Sequence, residues 1–215
     1  CALPICHELR NPLATISSSV YAVREMVAGL GMAPVHRALD RAERNVRRCD
    51  GIIEELLDYT RNRAVILSPL DLDEWVRDML DEIPVPEGVA VGWELESEAT
   101  VDLNPPQFRR LLVNVMANAC EAILESDEPT GTVTVSTERV DNRVAIRIRD
   151  TGPGIPPDVL ERIFEPLFST KGFGVGLGMA IVQQIAEQHG AEVEVESTPG
   201  EGTEVTVWLH VAGED

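Results

Sequence analysis
The sequence predicts two segments of different class. Residues 1–67 should form an α-helical hairpin able to build a four-helix bundle with a second copy. Residues 68–215 should form an α+β sandwich with a mixed β-sheet covered on one face by helices. Three observations carry this. Up to about residue 67 the apolar spacing is helical throughout; beyond it, period-two strand patterns alternate with helical ones; and Ser68-Pro69 reads as an extended hinge between the two.

In the first segment Cys6, Leu13, Val20 and Val27 fall seven apart, with Leu9, Ile16, Val23 and Leu30 in the complementary register, an apolar seam that wants a partner helix. The stretch "GLGMAP" interrupts it, and a second seam follows: Leu39, Val46, Ile53 and Thr60 with Ala42, Cys49 and Leu56. One hairpin buries too little apolar surface, so a homodimer is expected. Periodicity alone is equally compatible with a rigid spacer.

In the second segment, "SPLDLDEW" is a short extended entry into a helix over 72–82. "VAVGWEL" and Thr100 to Leu103 read as strands, and Pro105 to Glu125 as a helix. "TVTVSTERV" and "RVAIRIRD" alternate around Asp141-Asn142, the pattern of an antiparallel hairpin. Met179 to His189 is helical and stopped by Gly190, and "AEVEVES" with "GTEVTVWL" closes as another hairpin. His189, at that helix end, is expected to complement the helix dipole.

A net charge of −19 opposes nucleic acid and anionic membranes, so neither is expected as a partner. The sequence holds no apolar run of membrane-spanning length and no secretory signal pattern, which predicts a cytoplasmic location. Because the helical pattern is already under way at Cys1, the chain reads as a piece of a longer protein, one that an inner-membrane anchor upstream would suit. Its four cysteines lack metal-type spacing.

Four stretches carry chemistry. "HELRNPL" places His7 next to the seam residue Cys6, hence outside the core, with Asn11 one turn on along the same face and Pro12 loosening the helix beside it. Glu8 can polarise the imidazole while its other nitrogen attacks; a solvated polar pair is the commoner explanation of such a dipeptide. "NVMANACEAI" sets Asn114 and Asn118 on one helix face, where amide oxygens suit Mg²⁺ that also keeps waters and phosphate oxygens. "DTGPGI" ends a strand with Asp150, which can accept from an exocyclic amino group, while Gly152 and Gly154 admit a flat ring; an ordinary tight turn has the same composition. "STKGFGVGLGMAI" sets Gly172, Gly174, Gly176 and Gly178 at alternate positions, a mobile loop running into a helix whose first amides favour phosphate, with Lys171 as a movable positive charge. Neither the P-loop nor the dinucleotide spacing is present.

In that order these stretches resemble the boxes of bacterial sensor histidine kinases. "HELRNPL" is similar to the phosphoacceptor box, and "NVMANACEA", "DTGPGI", "FEPLFSTK" and "GVGLGMAI" to the asparagine, aspartate, phenylalanine and glycine boxes. The resemblance implies a dimerisation and histidine phosphotransfer domain over 1–67 and a catalytic domain of the Bergerat ATP-binding fold over 68–215. ATP and Mg²⁺ would be the cofactors, and the receiver domain of a response regulator the partner. It implies that His7 is phosphorylated, that Glu8 is its acid/base, and that Asn11 orients water for dephosphorylation of the regulator. Asn114 and Asn118 would hold Mg²⁺ and phosphates, and Asp150 the adenine amino group. Gly152, Gly154 and Ile155 would shape the adenine pocket, with Thr203 in "GEGT" supporting it. Lys171, Gly174, Val175, Gly176, Leu177, Gly178 and Met179 would supply the lid and the helix entry. Phe164 and Phe168 match the aromatic box that packs the lid. Two departures stand out: Val175 where relatives have threonine, and Leu167 where a second aromatic is common. The rival readings are an ATPase clamp of the same fold and a non-catalytic nucleotide-binding dimeric scaffold.

Overall fold
The computed structural model describes residues 2–27, 33–60, 65–170 and 176–213, and the chain divides into two compact units, Cys1–Arg63 and Ala64–Asp215. In the first, α1 spans Ala2–Val27 and α2 spans Ala33–Thr60. Pro34 falls in the first turn of α2, where its missing N–H costs no helical bond. Pro12 lies inside α1, and the helix continues through it. Leu39, Val46 and Ile53, seven apart, form the buried row of α2, with Leu13 and Leu56 packed on Ile53. Arg24 ties the helices together by pairing with Asp40 at 2.5 Å and Glu43 at 3.0 Å. Within the single chain the complementary row is open: Ile16 and Val23 are exposed, as is Cys49. Leu30 and the rest of residues 28–32 lie outside the described residues.

The second unit begins with β1 (Ser68–Asp71), α3 (Leu72–Glu82), β2 (Val89–Leu95), β3 (Thr100–Leu103) and α4 (Pro105–Leu124). It continues with β4 (Gly131–Val140), β5 (Arg143–Asp150), the single turn α5 (Pro157–Leu160), α6 (Gly178–Gln188), β6 (Glu192–Thr198) and β7 (Gly202–His210). Side-chain caps start two helices: the Asp71 carboxylate accepts from Glu74 N–H at 2.9 Å, and Asn104 Oδ1 from Gln107 N–H at 3.2 Å. The five-stranded sheet has the order β2-β4-β5-β7-β6, with β2 parallel to β4 and every other pair antiparallel. It is therefore mixed, as expected. Two features went unanticipated: the α5 turn, and a separate two-stranded antiparallel sheet of β1 and β3.

Strand alternation sorts the two faces. Val133, Val135 and Thr137 on β4, Val144, Ile146 and Ile148 on β5, and Val205, Val207 and Leu209 on β7 are buried. With Leu111, Leu112, Val115 and Met116 of α4 and Ile181, Val182 and Ile185 of α6 they make the core, the helices touching β4, β5 and β6. The other face carries Trp208, whose Nε1–H donates to Glu194 at 2.8 Å under an Arg143 guanidinium 4.8 Å away.

Two polar groups inside the core have assignable jobs. Asp73 Oδ1 accepts from Ser97 Oγ at 2.6 Å and Thr137 Oγ1 at 2.5 Å, and Oδ2 accepts from Glu98 N–H at 2.8 Å. Burial pushes its pKa up, but these hydrogen bonds outweigh burial and hold it below the usual carboxylate value. His189 corrects the dipole expectation. Its Nδ1–H donates to the Ile185 carbonyl at 2.7 Å, its Nε2 accepts from Asn104 N–H at 3.1 Å, and its ring meets Phe108 edge-on. Burial lowers its pKa, so it is a neutral cap joining the end of α6 to the start of α4, not a cation.

Candidate active site
Asp150 is the last residue of β5 and is 5% exposed. Its Oδ1 accepts from Gly152 N–H at 2.8 Å, folding the chain back on itself. A Cβ at Gly152 would lie 2.8 Å from that same oxygen and 3.3 Å from the Ala122 Cβ of α4, so a side chain there must move the Asp150 carboxylate or the end of α4. Gly154, at φ +70°, runs so close to the Thr198 carbonyl that a Cβ there would collide with it.

On the next strand Thr203 pairs in register with Asp150 and is likewise buried. Its hydroxyl lies 3.0 Å from Ser197 Oγ, which accepts from Ile155 N–H at 2.8 Å. The turn 152–155 is thereby pinned to the β6–β7 hairpin. Ser197 was missed from the sequence; its signal is a hydroxyl at the inward position that Val193 and Val195 set up along β6. The buried Cys120 thiol is pushed up in pKa by burial and by the Glu121 and Asp150 charges, so it stays neutral near that carboxylate.

Asn114 and Asn118 are half-buried on α4. Asn114 Nδ2 donates to the Arg110 carbonyl at 3.0 Å. Across from them, the first residue of α6 is Gly178, where an added Cβ would lie 3.7 Å from Asn114 Oδ1 and 3.7 Å from Asn118 Nδ2. The structure thus brings the two amides to the N-terminus of α6, which has no side-chain cap. Leu177 is buried and Met179 half-buried beside it.

Of the glycine loop, Lys171, Gly172, Gly174 and Val175 lie outside the described residues. Its ends are described. Leu167 N–H donates to the Gly176 carbonyl at 2.9 Å, and Gly176, at φ +74°, passes so close to the Phe168 carbonyl that no Cβ fits. Gly176 therefore serves close approach rather than mobility. Phe164 and Phe168 are half-buried, Phe168 under the Arg162 guanidinium at 4.0 Å, and Leu167 is 63% exposed at φ +67°. His7, Glu8 and Asn11 fall within α1; their side chains lie outside the described residues.

A helical hairpin is followed by a mixed sheet whose strand-end carboxylate and helix-borne amides meet glycine turns under a helix layer. Residues 103–213 match the family described as "Histidine kinase-, DNA gyrase B-, and HSP90-like ATPase", and residues 5–65 match "His Kinase A (phospho-acceptor) domain". The chain belongs to this ATPase family, in its sensor histidine kinase branch. Among similar proteins, sensor histidine kinase ZraS of Salmonella typhi is 32% identical over 98% of this chain and 45% of its own length. Sensor protein FixL of Bradyrhizobium diazoefficiens is 30% identical over 100% of this chain and 44% of its own length. The chain thus spans less than half of these relatives. Among solved structures, full-length ShkA in complex with AMPPNP shares the fold at TM-score 0.79, with 24% identity over 99% of this chain and 46% of that one. The mycobacterial sensor histidine kinase MprB superposes at TM-score 0.59, with 26% identity over 68% of this chain and 98% of that one.

Proposed function
We propose that residues 68–215 bind Mg·ATP, that its γ-phosphoryl group is transferred to His7 in the 1–67 domain, and that the phosphohistidine donates to an aspartate of a response regulator's receiver domain. The observation that carries this reading is the meeting of a buried strand-end carboxylate, Asp150, with a turn where only glycine fits, on the same chain as the "HELRNP" segment. Asp150 would accept from the adenine amino group. Gly152, Gly154 and Ile155 would wall the ring, backed by Thr203. Phosphate oxygens would meet the uncapped amides of α6 at Gly178, with Gly176, Leu177 and Met179 fixing that entry and Lys171, Gly174 and Val175 forming the lid.

Among the described residues no group of three His, Cys, Asp or Glu side chains could hold a metal ion by itself. The two amides suit Mg²⁺ that arrives carrying phosphate, and the space opposite Gly178 admits ligand atoms a side chain would displace. Mg²⁺ bound there neutralises charge on the transferring group. His7 would attack in line, Glu8 orienting its ring and handling its one proton. Catalysis is mostly positioning. Asn11 would orient water for regulator dephosphorylation. A second copy covering Ile16 and Val23 would complete the bundle as a homodimer. Among the described residues no helix is long and apolar enough to cross a membrane; the use of ATP would place this segment in the cytoplasm, and a membrane anchor would belong to another part of the protein.

The decisive experiment incubates the chain with γ-labelled ATP and Mg²⁺. Acid-labile, base-stable label absent from His7→Gln supports the kinase. Steady phosphate release without label would instead support an ATPase clamp, and nucleotide binding with neither a scaffold. Asn114 is an amide where a water-activating carboxylate would serve a clamp, which favours transfer.

A further inference from the structure
Helix α6 runs antiparallel to α4. Its first residue, Gly178, lies opposite Asn114 and Asn118, and the residue that closes it, His189, meets Asn104 just ahead of α4. Both helices give apolar side chains to the core, among them Leu111, Leu112 and Val115 of α4 and Ile181, Val182 and Ile185 of α6. Apolar burial is non-directional, so it holds two helices together without sharply fixing how far one is offset along the other. A directional contact at one end does that.

Such a contact exists at His189. Both ring nitrogens are used: Nδ1–H donates to the Ile185 carbonyl inside α6 at 2.7 Å, and Nε2 accepts from Asn104 N–H at 3.1 Å. The ring stands edge-on to Phe108 of α4, centroids 5.4 Å apart, and Phe108 is wholly buried. Asn104 is itself held, for Oδ1 caps α4 through Gln107 N–H and Nδ2 donates to the Ile66 carbonyl at 3.0 Å. One imidazole thus references the last turn of α6 to the first turn of α4. For packing alone a leucine would fill this space with no nitrogens to satisfy, and a nitrogen left unbonded away from water is costly. What histidine adds over leucine here is direction.

The other end of the same helix pair is the candidate phosphate site. α6 has eleven residues, about 16 Å of helix, and a helix is stiff enough to carry an axial shift from one end to the other. Hydrogen bonds from its first amides to phosphate tolerate only a few tenths of an ångström around a length of about 2.9 Å. The adenine end is held separately: Asp150 and the turn 152–155 are fixed by β5 and, through Ser197 and Thr203, by the β6–β7 hairpin. We propose that His189 is a positioning residue for the nucleotide: by bonding Asn104 it sets the offset of α6 along α4, and so holds the first amides of α6 at the distance from Asn114 and Asn118 that a Mg²⁺-bound triphosphate needs. The inference rests on the nucleotide-binding reading above. It separates the two ends of the ligand, since His189 governs the phosphates and leaves the adenine alone.

The test uses the whole chain and compares three variants with wild type. His189→Asn is at home at a helix end but one bond too short to reach Asn104, and His189→Phe keeps a ring against Phe108 with no acceptor. His189→Gln carries Oε1 as many bonds from Cβ as Nε2 is, and restores the acceptor. Calorimetric titration should show Mg·ATP bound at least about tenfold more weakly by His189→Asn and His189→Phe, with the KM for His7 labelling rising in parallel. His189→Gln should stay within about threefold of wild type. Adenosine, followed by NMR titration, should bind all four chains within about two-fold of one another, because it uses only the adenine end. Where one of the two weakened variants does not fold, the other is read. Wild-type Mg·ATP affinity in folded His189→Asn or His189→Phe would overturn the proposal. So would His189→Gln binding as weakly as these, or adenosine affinity falling in step with that of Mg·ATP, since the first denies the hydrogen bond its role and the second means a general loosening. A wild-type chain that binds no Mg·ATP fails earlier, refuting the nucleotide-binding reading itself.

Discussion
Asp73→Asn isolates one interaction cleanly. The carboxylate receives three donors, two hydroxyls on Oδ1 and the Glu98 N–H on Oδ2. Thr137 Oγ1 itself accepts from Glu96 N–H at 3.1 Å, so its proton can go only to Asp73. An asparagine can turn its carbonyl oxygen to the hydroxyls, but its NH₂ then faces the Glu98 N–H, donor against donor. Ser97 and Thr137 are each 2% exposed, whereas Glu98 is exposed and its N–H can turn to water. The cost is the hydrogen bond to a charged acceptor, about 1.5–3 kcal/mol. In a unit of this size that lowers the melting temperature by roughly 3–12 °C. Urea and thermal unfolding of the variant against wild type measure it. The native pKa is depressed, so the wild-type advantage is present above the unfolded value of 3.8 and is lost as pH falls through the lower native value. The gap should therefore be constant from neutral pH down to about pH 5. A variant melting within a degree or two of wild type, or a gap that closes near neutral pH, would refute this account.

His189 gives a pH signature of the same sign in a higher window. Its folded pKa lies below 6.5, so its contribution is complete above 6.5 and declines as pH falls from there to the native value, because the unfolded chain takes up the proton first. Unfolding free energies between about pH 7 and pH 5 should fall more steeply for wild type than for His189→Gln. Gly152→Ala must displace either the Asp150 carboxylate or the end of α4, a strain of about 1–3 kcal/mol; calorimetric titration with ADP should show at least about a tenfold weaker Kd. Leu167→Gly relieves a left-handed backbone at a 63% exposed residue and should leave stability unchanged or raise it by up to about 1 kcal/mol in urea unfolding.

What the sequence disclosed follows the range of the signals. The β4–β5 and β6–β7 hairpins were legible because period-two alternation and turn residues are local, and α4 because Asn104 and two prolines announce its start. The β1–β3 sheet was not, since it joins two four-residue strands across the whole of α3 and β2. Asp73 and His189 were equally hidden, for the Ser97 hydroxyl that meets Asp73 and the Asn104 N–H that meets His189 lie 24 and 85 residues away. In the site, Asp150 and the amide pair stood out by type and spacing. Ser197 did not, because its role depends on a neighbouring strand and on Ile155, 42 residues distant.

The glycines show best why composition alone misleads. Alternation at 172, 174, 176 and 178 reads as mobility, yet the two described members meet different surroundings. Gly176 cannot carry a side chain: its φ is +74° and the Phe168 carbonyl occupies the Cβ position. Gly178 can. Its added methyl would sit at ordinary contact distance, 3.7 Å, from both amides. Alanine also favours the helix over glycine by up to about 1 kcal/mol. For the fold, then, Gly178→Ala is neutral or stabilising. For the proposed site it is harmful, because the methyl fills the space between Asn114, Asn118 and the first amides of α6 where phosphate and Mg²⁺ would lie. The expected result is an unchanged or higher melting temperature together with at least about a tenfold loss of Mg·ATP affinity and of His7 labelling. Wild-type nucleotide affinity in a Gly178→Ala chain would show that the triphosphate does not pass between these amides and α6.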